Sequence, residues 1–217
     1  MNPMTIEILV LAGIALFLVL RLRNVLGTRE GFEKPETNTI ATKRSPDLQV
    51  IDGSPDTDIT DHVAINSEMA EKLAMIKRID SEFSVTEFLS GARFAYEMIL
   101  MSFERGDIEE TRAYLSDEVA GTFDMVIKER QDLGIDIHAE FAGIREMKLQ
   151  QVGLDASTNV ADLTVLFLGE LISVVKNADG VVVEGDGKQV KRQKDVWTFS
   201  KDMSSDDPNW RLVATDE

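Results

Sequence analysis

The chain is predicted to be an α+β protein, and three observations carry that expectation. Helical periodicity runs from 67 to 134 and gives way to a period of two from 135 onward. The later apolar runs are long and divided by Gly- and Asp-rich turns, as in an antiparallel meander. The longest helical stretch is apolar on two faces, as a helix between layers is. Helices first and strands after place the helices on one concave side of an antiparallel sheet.

The 217 residues include no cysteine and carry a net charge of -16. A chain of this length buries a core without staples, and a disulfide framework or thiolate metal site is excluded. The acidic balance argues against nucleic acid, which calls for a basic footprint. The charge is uneven: residues 84–217 hold 14 basic and 26 acidic side chains, whereas residues 1–34 are slightly basic.

The first element is an apolar run. From Met4 to Leu20 its one charge is Glu7, and ILVLAGIALFLVL is wholly apolar. At about 1.5 Å per residue it spans most of a hydrocarbon core of about 30 Å. No Lys or Arg precedes it, Arg21, Arg23 and Arg29 follow it, and no A-x-A-like cleavage site appears at its exit. That order is the reverse of a signal peptide. It predicts an uncleaved single-pass anchor over 1–23, N-out/C-in, with Arg21, Arg23 and Arg29 determining the topology. The remainder is then expected on the cytoplasmic side of the membrane.

Residues 24–66 read as a basic juxtamembrane segment followed by a disordered acidic linker. Pro35, Pro46, Gly53 and Pro55 stand among many Ser, Thr and Asp. Some thirty flexible residues reach about 30 Å. Asp56, Asp58 and Asp61 imitate a calcium loop, but the sixth position is Asp61 rather than Gly and the twelfth is Ser67 rather than Glu. Residues 67–83 then form a short amphipathic helix, with Met69, Leu73 and Ile76 on one side and Ser67 or Asn66 as cap. It either packs on the following domain or docks in a partner's groove.

The domain itself is expected over 84–217. Ser84-Val-Thr-Glu87 is a capping box that opens a helix to about Arg105. Val85, Phe88, Ala92, Ala95, Ile99 and Phe103 make one apolar face; Phe94, Met98 and Met101 make a second. Asp107 is expected to cap a short helix through Tyr114, and Ser116 or Asp117 a third, ended by Gly134. Alternation in IDIHAEF (135–141) predicts a half-buried strand. The nearly continuous apolar run 159–175 predicts a central strand covered on much of both faces. Asp179-Gly180 and Gly185-Asp-Gly187 mark turns. VWTFS sets Trp197 and Phe199 on one face, and WRLVAT sets Trp210, Leu212 and Ala214 on one face.

At this point three segments together resemble a known family. FLSGARFAYEMILMSFERGDIEETRAYLSDEVAGTFDMVIKERQDLG resembles the opening of the Tim44-like domain, and DVWTFSKDMSSDDPNWRLVATDE resembles its close. RLRNVLGTREGFE is similar to the segment after the anchor in alphaproteobacterial Tim44/TimA adaptor proteins. The resemblance implies an NTF2-like cone, with three helices in the mouth of a curved four-stranded antiparallel sheet. It also implies a non-enzymatic, membrane-associated adaptor. Mitochondrial members of the family tether an Hsp70 chaperone to the import channel and contact inner-membrane lipid. The expected partner is therefore a protein of translocation, chaperone or membrane-assembly machinery. The acidic body itself is repelled by an anionic leaflet.

The second reading is a membrane-anchored enzyme or small apolar-ligand-binding protein on the same cone, since a fold does not dictate chemistry. The sequence offers little for it. His62 and His138 lack metal-ligand spacing. Gly185-Asp186-Gly187-Lys188 lacks the helix a phosphate loop requires. Asp162 is the one acid in an otherwise apolar strand. No catalytic residue, metal or cofactor is expected. The candidate partner- or ligand-binding residues are Phe94, Tyr96, Met98 and Met101.

Overall fold

The computed structural model of the chain describes residues 56–216. The anchor expected over 1–23, the juxtamembrane segment and Arg21, Arg23 and Arg29 lie outside the described residues. Among the described residues no helix is long and apolar enough to cross a membrane.

Among the described residues four α-helices precede the strands: α1 Thr57–Thr60, α2 Glu68–Ile79, α3 Val85–Arg105 and α4 Asp117–Asp132. Each starts where a side chain can accept a free N–H of the first turn. Asp56 caps α1, Ser67 caps α2, Ser84 caps α3 through the Glu87 amide and Ser116 caps α4 through the Val119 amide. Gly106 ends α3 in the left-handed region, at φ 77°, as a C-terminal glycine should. The short helix expected after Asp107 is a 3-10 turn at Arg112–Tyr114. Buried Thr111 turns its hydroxyl back to the Ile108 carbonyl at 3.1 Å, a local bond that competes with a longer helix.

Five strands follow in one antiparallel sheet: β1 Asp136–Asp155, β2 Val160–Lys176, β3 Val182–Glu184, β4 Val190–Asp202 and β5 Arg211–Asp216. The order across the sheet is β1-β2-β4-β5. The fifth strand departs from the four that the resemblance implies. β2 outlasts its pairing with β4, which ends at Ile172↔Val190, and its last residues pair with β3 inside the connection. Register shifts in β1 after Phe141, Ile144 and Leu149, and one in β5 between Leu212 and Ala214, bend the sheet around the helices.

Period two places Ala161, Leu163, Val165, Phe167 and Leu171 of β2 fully under the helices. Its alternate residues are half-buried apart from exposed Asp162, so one face is sealed and the other partly covered. Trp197 and Phe199 from β4 and Leu212 from β5 complete the sealed face. Helices α2 and α3 pack on β1, and α4 packs on β5.

The linker expected to run to residue 66 is folded from residue 56, and the domain expected to open at 84 begins earlier. Ile59, Val63, Leu73 and Ile76 are buried in the same core as Val85 and Phe88. The acids of this stretch explain why it is not solvated. Asp58 lies beside the start of α3 and Lys77 lies beside Asp56 and Asp58, so the charges are used within the fold. Helix 67–83 thus packs on its own domain, with Leu73 and Ile76 inaccessible.

Candidate functional site

The N-terminal half of α3 lines a groove. Phe88, Gly91, Ala92, Ala95 and Met98 recur at helical spacing along its floor. The turn between α2 and α3 supplies one wall through Asp80, Glu82 and Phe83. The other wall is Phe199 and Lys201 of β4 with Pro208, Asn209 and Trp210 leading into β5. The cavity measures about 450 Å³, within the range of sites that hold several apolar groups.

Aromatic contacts set its shape. The Phe88 ring meets Trp210 edge-on at 4.8 Å and Phe199 at 6.0 Å, and Phe83 lies 6.0 Å from Trp210. The rim is acidic. Glu82 and Glu87 are exposed, and Asp80 reaches Lys201 at 3.6 Å, so the groove's cation is already engaged. Gly91 leaves its side of the floor open: a Cβ there meets no atom within 4 Å.

The expected contact residues separate. Phe94 lies at the groove with 68% of its surface exposed, which is unusual for a phenylalanine in a folded domain. Met98 is half-buried in the lining. Met101 is half-buried against the core and does not line the groove. Tyr96 is wholly buried inside the domain and so does not share the groove with Phe94 and Met98. It projects from the opposite side of α3, where its ring stacks on Phe167 at 4.3 Å and meets Trp197 at 4.8 Å.

The Tyr96 hydroxyl donates to Asp195 Oδ2 at 2.5 Å, and Gln193 Nε2 donates to Asp195 Oδ1 at 3.0 Å. Burial, then the hydrogen bond to Asp195 and its charge, push the Tyr96 phenol well above its ordinary range. This is a polar pair inside the core, but neither member lines the groove. With Tyr96 0% and Asp195 5% exposed, a substrate has no approach to it. The other chemical candidates stay at the surface. His138 and Asp162 are exposed, and His62 bonds Thr86 Oγ1 at 3.0 Å. Asp186 accepts from the amides of Lys188 and Gln189 in a tight turn, which is the hairpin role expected there. Among the described residues no group of His, Asp and Glu could hold a metal.

Phe83, Tyr114 and Pro208 also line the groove, but they come from three separate connections and no local pattern in the sequence marks them. Asp195 had a signal: period two from Trp197 and Phe199 puts it on the buried face of β4.

Comparison with known proteins agrees with the sequence segments that carry the resemblance. Over 156 residues the chain is 29% identical to the probable mitochondrial import inner membrane translocase subunit tin-44 of Caenorhabditis elegans. Over 160 residues it is 26% identical to the mitochondrial import inner membrane translocase subunit TIM44 of Homo sapiens. These alignments cover 68% and 72% of this chain but 35% of each relative, so the chain spans about a third of the length of the curated relatives it matches. A solved structure, the intermembrane space region of chloroplast protein ARC6, superposes with a TM-score of 0.40 and 10% identity over 59% of this chain and 94% of that one. The Tim44-like domain model matches residues 69–217, and the chain therefore belongs to the Tim44-like domain family.

Proposed function

We propose that this chain is a membrane-anchored adaptor whose Tim44-like domain docks a protein segment in the groove beside α3. The observation that carries the reading is the groove itself, an apolar floor with exposed Phe94 at its edge and an acidic rim. Such a surface suits a segment that inserts apolar side chains and carries basic residues beside them. The relatives are named as subunits of an inner membrane translocase, which makes translocation or membrane-assembly machinery the first partner class to test. The apolar run 4–20 with Arg21, Arg23 and Arg29 behind it supports a single-pass N-out/C-in anchor in a bacterial inner membrane. The domain would then work on the cytoplasmic side, as an NTF2-like cone without catalytic chemistry.

The test is photo-crosslinking in native membranes from position 94 or 98, compared with position 125 on the outer side of α4. The reading expects a discrete adduct from 94 and 98 and none from 125. Equal capture from all three positions overturns it. Topology is read separately: a C-terminal reporter in the cytoplasm agrees with the proposal, and a periplasmic reporter refutes the orientation.

A further inference from the structure

The family match begins at residue 69, yet the segment just ahead of it is tied into the groove wall. Asp58 accepts from the amides of Val85 at 2.8 Å and Thr86 at 2.9 Å and from Ser84 Oγ at 2.9 Å. It therefore serves amides that the first turn of α3 leaves free. Lys77 of α2 bridges Asp58 at 2.8 Å and Asp56 at 2.7 Å. Ile59 and Val63 are buried beneath these contacts. The backbone that Asp58 grips continues directly into the groove: Ser84, Glu87 and Phe88 line it, as do Asp80, Glu82 and Phe83 just before. At the far end of the same turn, Asp80 is tied across the groove to Lys201.

We infer that residues 56–63 are a strap that holds the 80–84 wall in its binding geometry, so that strap docking and groove occupancy are coupled. A wall already held in place loses less freedom when the groove is filled. By linkage, whatever fills the groove must also tighten the strap. The coupling half of this inference rests on the groove reading above; the holding of the wall does not.

The experiment is residue-resolved amide hydrogen exchange on the full-length protein, with N-phenyl-1-naphthylamine as a neutral apolar probe. The variants are Asp58→Ala and Lys77→Met. Asp58→Ala is expected to speed exchange at 82–88 and at Asn209 and Trp210 about ten-fold or more while β2 stays protected. Probe affinity should fall about five-fold or more. Lys77→Met leaves the backbone bonds to Asp58 and should move both readouts the same way by less. Saturating probe should slow exchange across 56–63 in the unaltered protein. Acceleration limited to 56–63 and 85–86, with 82, 83, 209 and 210 unchanged, overturns the strap. Loss of protection in β2 would mean that Asp58→Ala unfolds, and Lys77→Met then decides by the same residues. If the probe fails to bind the unaltered protein the groove reading falls, and exchange at 82, 83, 209 and 210 still decides whether the strap holds the wall.

Discussion

At the scale of single residues, the interior turns on Tyr96 and the two positions that accommodate it. Tyr96→Phe keeps the stack on Phe167 but removes the donor to Asp195, and it should destabilise by about 1–3 kcal/mol in urea unfolding. Gly169 lies directly under the phenol: an added Cβ would sit 2.5 Å from Tyr96 Oη. Gly169→Ala should therefore cost about 1–3 kcal/mol through overpacking. Tyr96 ring resonances should show no titration through pH 11, where an ordinary phenol is already ionised. Asp58 titrates in the other direction. Burial opposes its charge, but Lys77 and the hydrogen bonds from Thr86 and Val85 outweigh burial and hold the carboxyl well below its usual range. Its folded value is depressed, so its stabilisation is present above the unfolded value of about 3.9 and is lost as pH falls toward the folded one. The stability gap between the unaltered protein and Asp58→Asn should narrow from pH 5 to pH 3. Periodicity made half of this legible. It puts Asp195 beside Trp197 on the buried face, but nothing local joins Asp195 to a tyrosine 99 positions away.

At the scale of elements, α3 is read well from its own residues and its use is not. The capping box at Ser84, the left-handed Gly106 and the two apolar faces are all visible in the sequence. Which face is free depends on what packs against it. Tyr96 points at the sheet and is sealed, whereas Phe94, two positions earlier and nearly opposite on the helix, is left at the groove. Gly91 gives this element a direct test. A side chain there enters open space, and replacing glycine inside a helix is favourable by up to about 1 kcal/mol. Gly91→Leu should therefore leave the melting temperature unchanged or raised while abolishing crosslinks from position 94. A variant that melts normally and still crosslinks would place the partner elsewhere. Helix α2, in contrast, is a core element: Leu73→Ala should cost about 2–5 kcal/mol by opening a cavity.

At the scale of the whole molecule, the folded domain is longer than its family match. Ile59 and Val63 join the core, and Asp58 caps α3 from outside the matched residues. A fragment of residues 69–217 should melt clearly lower than one of residues 56–217 in differential scanning calorimetry. The acidic stretch before α2 folds for a physical reason that composition does not carry. Composition predicts solvation when charges have only water as partner, and here Lys77 and the free amides of α3 take that place.

The sequence by itself determined the partition into helices and then strands, the serine caps, the turns and the family, because each depends on residues within a few positions of one another or on segments compared in order. Tertiary structure decided the rest: the fold-back of residues 56–63 onto α3, the Tyr96–Asp195 pair, and a groove assembled from α3, the turn before it and the approach to β5. Those features depend on sheet register and on which surfaces meet, and such contacts between distant residues leave no period in the sequence to be read.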